Sequence, residues 1–306
     1  SDLASLGDMK NTGTINSTAY VTQLSSVGTL TNEGTIASSK QIAISATGDL
    51  VNAGTMKGTQ LLSVASGGNL TTRKGSNTVS DGQLAVSANN IDNAGSMRGN
   101  ITNVAFSGDK LKVTGELRGH STLTVQSKKD DKVNSGLIYN TGSISGNDVT
   151  IITNGNLDQE GNIIGQNSLS IKSNVLDNVY YIYGKSLNIE SNYVRNRATI
   201  DGYSNTISAA NGILNEGQIS ASGDLTLRTL NHANITNYNT IKANGSLTMT
   251  TGTVKNGGYR CGFLNLATCG KGSISANKLV LNSYHNYASE MGGQQQYKYA
   301  EINTIR

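Results

Sequence analysis

The sequence predicts an all-β protein folded as a parallel β-helix, a solenoid with about 20 residues and three short strands in each coil. Three observations lead to this fold class. An apolar-x-apolar motif recurs at a nearly constant interval, an Asn-x-Gly motif recurs with the same period, and the 306 residues include 36 Gly but no Pro. Proline lacks the backbone donor that a central strand needs, so its absence fits a protein built from ladders of strands.

The apolar-x-apolar motif predicts one strand in each coil. Its copies start at Ile42, Leu62, Leu84, Val104, Leu123, Val149, Leu169, Leu187, Ile207, Leu225, Leu247 and Leu279. Most successive copies are about 20 residues apart, which is a typical period of a solenoid. Apolar residues two positions apart lie on one face of a strand. Short strands cannot bury such faces alone, but stacked coils can.

The Asn-x-Gly corner predicts a structural turn rather than a binding site. In the stretch LTNEGTI, Leu30 and Asn32 are two positions apart, so both are expected to face inward. Asn side chains at equivalent positions of successive coils can bond through their amides, and Gly34 can supply a positive φ for the turn. The corners given this structural role are Asn32/Gly34, Asn52/Gly54, Asn93/Gly95, Asn140/Gly142 and Asn215/Gly217.

The chain is predicted to form one continuous β-helix over residues 1–282, with loop insertions at about 126–138 and 256–272. These insertions coincide with the two longest intervals in the repeat, from Leu123 to Val149 and from Leu247 to Leu279. Residues 283–306 leave the period and are predicted to be an irregular tail. That tail is either a cap on the last coil or the start of a further segment.

Each insertion carries candidate contact residues. The first contains the sequence KKDDK, in which Lys128, Lys129 and Lys132 are candidates for a charged contact. A solvated, protruding loop with no partner is the alternative. The second contains the two cysteines of the chain, Cys261 and Cys269. Their spacing can close a short disulfide loop, which would require an oxidising compartment.

Aromatic residues mark two candidate partner-binding surfaces, because Tyr and Arg are typical binding anchors. In the closed loop the candidates are Tyr259, Arg260, Phe263 and Leu264. In the middle of the chain they are Tyr180, Tyr181 and Tyr183. The alternatives are a stapled insertion without a partner and, for the tyrosine cluster, ordinary strand propensity.

Composition and motifs exclude several function classes. A net charge of +4 over the whole chain gives little reason to expect nucleic acid as a partner, and no apolar run is long enough to span a membrane. Asp8, Asp49 and Asp224 each follow a glycine and are interpreted as turn residues. The sequence therefore predicts no catalytic residues, no metal and no cofactor. A polysaccharide-cleaving β-helix enzyme remains a distant alternative.

With these motifs established, the chain resembles the filamentous-haemagglutinin repeat family. The stretch NEGTIASSKQIAISA, from Asn32 to Ala46, is similar to the family's N-x-G-x-I followed by a polar segment and L-x-L-x-A. The resemblance spans roughly residues 8–282. It implies a right-handed β-helix within a large exoprotein, which a two-partner-secretion transporter exports across the outer membrane of a Gram-negative bacterium.

The resemblance also implies a role at the surface of a target cell. Two subclasses are relevant. One is the haemagglutinin-like adhesins, which bind to host cells, and the other is the CdiA-type effectors of contact-dependent growth inhibition, which deliver a toxin to neighbouring bacteria. The implied partner is an outer-membrane protein or a surface glycan. The irregular, aromatic second half favours a receptor-binding or stalk fragment of a growth-inhibition effector, with the host-cell adhesin as the alternative.

Overall fold

The computed structural model describes residues 2–128, 136–257, 259–261, 267–269, 272–283 and 294–304. In this part of the chain the structure is all β, without helices, and its strands stack in parallel as a β-solenoid. The prediction of a parallel β-helix is confirmed. The chain divides into two compact units. The first unit contains residues 1–157 and 161–164, and the second contains residues 158–160 and 165–306.

The strands of the first unit have between three and 12 residues, and most are separated by turns. They are β1 (Asp2–Ser5), β2 (Met9–Asn11), β3 (Thr14–Ser17), β4 (Val21–Ser26), β5 (Leu30–Asn32), β6 (Thr35–Ser38), β7 (Gln41–Ala46), β8 (Leu50–Asn52), β9 (Thr55–Gly58), β10 (Leu61–Ser66), β11 (Leu70–Thr72), β12 (Asn77–Ser80), β13 (Gln83–Ala88), β14 (Ile91–Asn93), β15 (Ser96–Phe106), β16 (Lys110–Val113), β17 (Glu116–Ser127), β18 (Leu137–Asn140) and β19 (Ser143–Ile152).

Two further strands, β20 (Leu157–Gln159) and β21 (Asn162–Asn178), contribute residues to both units. The strands of the second unit are β22 (Tyr181–Asn196), β23 (Thr199–Ala209), β24 (Ile213–Asn215), β25 (Gln218–Ala221), β26 (Leu225–Thr229), β27 (Asn234–Asn237), β28 (Thr240–Ala243), β29 (Ser246–Thr251), β30 (Thr253–Asn256), β31 (Tyr259–Cys261), β32 (Ala267–Cys269), β33 (Ser273–Ser283) and β34 (Gln294–Thr304).

Apart from β31 and β32, the strands pair in parallel with their equivalents in the neighbouring coils. In the first unit, Leu62 of β10 pairs with Ile42 of β7 on one side and with Leu84 of β13 on the other. Most successive copies of the apolar-x-apolar motif therefore form one ladder. The copies that start at Val104 and Ile207 are shifted by two residues, so that Thr102 and Asn205 lie opposite the first residues of the neighbouring copies. The first and third residues of each copy are buried in the core, whereas middle residues such as Ser63 lie on the outer face.

Asparagines of the corner motif form buried amide ladders. In the first unit, Asn11 donates through Nδ2 to Oδ1 of Asn32 (2.8 Å), and Asn32 donates in the same way to Asn52 (2.9 Å). The next coil has Thr72 at the equivalent position, and Asn52 donates instead to Oγ1 of Thr78 (2.9 Å). The presence of Thr72 where the preceding coils have Asn thus interrupts the ladder, because its hydroxyl cannot reproduce the hydrogen-bonding geometry of an amide.

The second unit has a longer ladder of the same kind. Asn178, Asn196, Asn215, Asn237 and Asn256 are linked by four Nδ2-to-Oδ1 bonds of 2.7–2.8 Å. All the bonds run in one direction, so a spare acceptor is left at one end and a spare donor at the other. These are Oδ1 of Asn178 and Nδ2 of Asn256, which are both buried without a partner among the described residues.

The glycines of the corner motif do not have the predicted conformation. Among the described residues only Gly75, Gly136 and Gly212 are glycines with a positive φ, so that expectation is wrong for Gly34 and for the equivalent corner glycines. Close approach explains them instead. A Cβ on Gly34 would overlap the carbonyl oxygen of Gly13. At Gly54, Gly142 and Gly217 a Cβ would likewise overlap a carbonyl oxygen of the preceding coil, and at Gly95 it would overlap the side chain of Ser76.

Near the end of the chain the strand order becomes less regular. β31 and β32 form an antiparallel pair in the predicted second insertion. Within the predicted tail, β34 pairs in parallel with β33 from Ser273↔Gln294 to Ser283↔Thr304. The tail therefore contains one further ladder strand, although its sequence has left the period. The division into a single β-helix over 1–282 and a tail stays a prediction.

Candidate binding surfaces

The tyrosine cluster lies on the outer surface of the second unit. Tyr180 precedes β22 and is 55% exposed. Tyr181 and Tyr183 alternate along β22 with the buried Ile182 and Gly184, so their side chains point away from the core. The Tyr181 and Tyr183 rings are stacked, with centroids 6.4 Å apart and planes 7° apart. A rigid strand therefore presents two aligned aromatic rings to the outside.

An acidic residue lies next to this aromatic pair. The register of β22 and β23 sets Tyr183 opposite Asp201, in the next coil. Ser220 donates through Oγ to Oδ1 of Asp201 (2.7 Å), and Gln218 donates to the same hydroxyl (2.9 Å), so the carboxylate is held in place. Burial raises the pKa of Tyr181, and the negative charge of Asp201 raises that pKa further.

No motif in the sequence marks Asp201 as part of this surface. The signal that could have revealed it is the period itself, since Asp201 follows Tyr183 by one repeat interval. However, the interval varies from one coil to the next, and neighbouring residues on a strand face opposite sides. The sequence alone therefore does not fix which residue lies beside Tyr183.

The predicted cysteine loop lies only partly within the described residues. The backbone of Cys261 is paired with Ala267, and the backbone of Cys269 with Tyr259. Arg260 is paired with Thr268. The two cysteines are thus diagonal neighbours in an antiparallel pair, not direct partners. Phe263 and Leu264 lie outside the described residues. The disulfide and the binding role of this loop stay predictions.

The first insertion is likewise described only at its two ends, residues 126–128 and 136–138. Lys128 is exposed, whereas Lys129 and Lys132 lie outside the described residues. Lys128 borders a shallow groove of about 330 Å³ on the outer face of the first unit. The small side chains of Ser87, Ala105 and Thr124 also line this groove. The position of Lys128 beside this surface of small residues does not identify a partner. The predicted charged contact therefore stays a prediction.

A basic ladder that the sequence did not reveal lies on another outer face of the first unit. Lys57, Val79, Arg98 and Arg118 occupy the same position in four consecutive coils. Arg98 and Arg118 are exposed direct neighbours, and neither is part of an ion pair with another described residue. Lys57 is bound to Asp81 (3.4 Å). These residues line a groove of about 430 Å³.

The second unit has a groove of mixed charge. It has a volume of about 380 Å³ and is lined by Lys172, Glu190 and Arg228 beside the exposed Leu230. Unlike the basic ladder, it combines both signs of charge. Its charged residues belong to neither the tyrosine cluster nor the basic ladder, so substitutions there provide matched controls for both.

Within the described residues, no group of three or more His, Cys, Asp or Glu side chains could hold a metal ion. The turn aspartates bond to backbone instead. Asp49 accepts from the amide of Asn69, and Asp224 accepts from the amide of Ser246, both at 2.7 Å. No helix in the described part of the chain is long and apolar enough to cross a membrane.

Comparison with known families identifies the haemagglutinin repeat. The model of the haemagglutinin repeat matches residues 2–74 and 184–283, which together make up more than half of the chain. No curated protein and no solved structure matches the chain significantly.

Proposed function

Because the chain belongs to the haemagglutinin-repeat family, we propose that it is a receptor-binding segment of a secreted filament that contacts a target cell. The family is of adhesin type and non-enzymatic, and its members are secreted or surface-exposed bacterial proteins. In the proposed function, stacked coils provide a stiff support, and side chains on the outer faces provide recognition. A two-partner-secretion transporter in a Gram-negative outer membrane would export the protein.

The observation that carries this proposal is the tyrosine surface, made up of Tyr180, Tyr181 and Tyr183. Exposed tyrosines supply large contact area at a low cost in conformational entropy. Here two of the rings are already aligned by the strand that carries them. We propose that this surface binds an outer-membrane protein of a neighbouring bacterium during contact-dependent growth inhibition.

Vesicle binding tests this proposal. The purified chain is mixed with outer-membrane vesicles from related bacteria and, in parallel, with host-cell membranes. We expect binding to the bacterial vesicles, and loss of most of it when Tyr181→Thr and Tyr183→Thr are combined, since Thr keeps the strand propensity. Tyr20→Thr is the matched control, because Tyr20 is 67% exposed in the first unit. Equal binding by both variants would reject the tyrosine surface as the contact.

A host-cell adhesin is the second candidate, and the basic ladder favours it. Like charges opposite each other on adjacent strands are destabilising, so an unpaired Arg98 beside Arg118 is better explained by an anionic partner than by stability. Acidic surface glycans of host cells have suitable chemistry, because Arg binds carboxylate and sulfate or phosphate groups through paired donors.

Removal of the two arginines separates the two candidates. If the host-cell function holds, Arg98→Gln with Arg118→Gln abolishes salt-sensitive binding to host cells. Lys172→Gln with Arg228→Gln removes the same charge from the mixed groove and leaves that binding intact. If neither double substitution changes the binding to bacterial vesicles, the first candidate, the growth-inhibition effector, is favoured. A toxin domain encoded after residue 306 would independently favour the growth-inhibition effector.

A further inference from the structure

Tyr181 and Tyr183 present the features of a cation-binding surface. The face of an aromatic ring is electronegative and attracts ammonium and guanidinium groups within about 6 Å of its centroid. The two rings are nearly parallel and their centroids are 6.4 Å apart, so the faces of both can attract one cation bound against them. A pair of rings therefore attracts a cation more strongly than an isolated surface tyrosine does.

Asp201 supplies a negative charge at the edge of the aromatic pair. It lies opposite Tyr183 in the ladder, at a strand spacing of about 4.8 Å. Ser220 bonds to Oδ1, and no ion pair joins Asp201 to any described residue. Other acids of the same unit differ in this respect, since Asp177 is paired with Arg197 and Glu216 with Arg195. Asp201 thus retains a charge for an external partner.

The cations closest in the fold do not occupy this place. Arg197 is held by two bonds to Asp177, at 2.6 and 3.0 Å. Lys242 pairs with Ser220, so it is two strand spacings from Asp201, about 10 Å away. Lys185 is exposed directly after Gly184, and among the described residues no cation–π contact joins it to either ring. The groups that act on the Tyr181 hydroxyl besides burial are Asp201 and Tyr183, neither of them a cation.

We propose that Tyr181, Tyr183 and Asp201 form a binding site for a cationic group, namely the guanidinium or ammonium group of an arginine or lysine on the partner's surface. The two rings contact the cation through their faces, and the carboxylate of Asp201 neutralises its charge. This inference rests on the proposed function, which makes the tyrosine surface the contact with a receptor, and adds the chemistry of the partner group.

The test uses the chain labelled with 3-fluorotyrosine and titrated with arginine ethyl ester at pH 6.5. Fluorine NMR resolves the tyrosines, and Tyr181→Phe and Tyr183→Phe assign the two signals. We expect both signals to shift saturably with the ester but not with sodium chloride at equal ionic strength. Asp201→Asn should weaken binding by at least about fivefold, because it removes the charge that neutralises the cation. Absence of a saturable shift would overturn the proposal.

Two variants serve as controls for the role of Asp201. Glu190→Gln removes one negative charge from the mixed groove and should leave arginine binding unchanged. Asp201→Glu keeps the charge and should retain most of the binding, whereas a purely structural role for Asp201 would weaken Asp201→Glu and Asp201→Asn alike. Circular dichroism of each variant verifies that the fold is retained. Equal affinity of Asp201→Asn and wild type would reject the site.

Vesicle binding distinguishes this inference from the proposed function. Arginine ester that binds to a chain unable to bind vesicles supports the cation site and rejects the proposed receptor contact. Vesicle binding by a chain that does not bind the ester rejects the cation site and leaves the proposed function supported. Loss of both activities in Asp201→Asn, with both retained in Glu190→Gln, supports the two together.

Discussion

At the residue scale, the corner glycines show how close the coils lie to each other. A Cβ at Gly54 would overlap the carbonyl oxygen of Gly34, and a Cβ at Gly34 would overlap that of Gly13. Each overlapped atom is backbone and cannot move aside as a flexible side chain can. A methyl group at such a position must therefore push two coils apart and lengthen the hydrogen bonds between them.

Gly54→Ala is expected to destabilise the first unit by about 1–3 kcal/mol, the typical cost of overpacking a tight contact. Gly13→Ala is the matched control, because a Cβ there meets nothing within 4 Å. That change should be neutral or slightly stabilising, since it lowers the entropy of the unfolded chain. Urea denaturation followed by circular dichroism measures both. If a positive φ were the reason for these glycines, the two substitutions would destabilise equally.

Also at the residue scale, the Tyr181 hydroxyl reports the field of Asp201. Burial raises the pKa of Tyr181 most, and Asp201 raises it next. Asp201→Asn should lower that pKa but leave it above the ordinary tyrosine value near 10, because burial remains. Glu190→Gln, the charge-matched control, should not change it. The pH dependence of the Tyr181 Cζ chemical shift, followed by NMR, provides the measurement. An unchanged pKa in Asp201→Asn would contradict the proximity of Asp201 to the Tyr181 hydroxyl.

The raised pKa has a consequence for stability at alkaline pH. A raised pKa means that the folded chain holds the Tyr181 proton more tightly than the unfolded chain does. The resulting stabilisation is fully present below the unfolded-state pKa near 10, and it is lost as the pH rises through the folded-state value. Asp201→Asn should therefore reduce the loss of stability above pH 10.

At the element scale, the period-two pattern determines which substitutions a strand tolerates. In β21, Leu169 and Ile171 are buried, whereas Ser170 between them is partly exposed on the outer face. Ile171→Asp should destabilise the second unit by more than about 4 kcal/mol, because it buries a charge among apolar side chains. Ser170→Asp adds the same charge on the outside and should cost less than about 1 kcal/mol. Equal losses in chemical denaturation would mean that the faces are assigned in reverse.

The same pattern explains how much of the fold could be predicted from the sequence. Inward positions such as Leu30, Asn32 and Ile36 follow from alternation within one strand, which is a local property, and all three are buried. Neighbours across coils depend on register. That is why Asp201 beside Tyr183 and Arg98 beside Arg118 appear only in the structure. The sequence predicts a need for the corner glycines but assigns it to a positive φ. The actual reason, contact with the preceding coil, is also a cross-coil property and therefore depends on register.

At the scale of the whole molecule, a solenoid is held together by contacts between adjacent coils. Strand β10, for example, pairs with β7 and β13, its equivalents in the two neighbouring coils. Stability in such a protein is approximately a sum of terms for single coils and for the interfaces between neighbours. A local defect should therefore weaken its own coil and the adjacent ones, with an effect that decreases along the stack.

Leu62→Ala tests this property within the first unit, because the Leu62 side chain is fully buried. The cavity should cost about 2–5 kcal/mol. Hydrogen exchange followed by mass spectrometry should show the largest loss of protection in β10, a smaller loss in β7 and β13, and little change in β18. Ser63→Ala, on the outer face of the same strand, is the control and should leave all four strands protected. An equal loss throughout the first unit would mean that its coils unfold as a single cooperative block, as in a globular domain, because only then does a defect in one coil reach all the others.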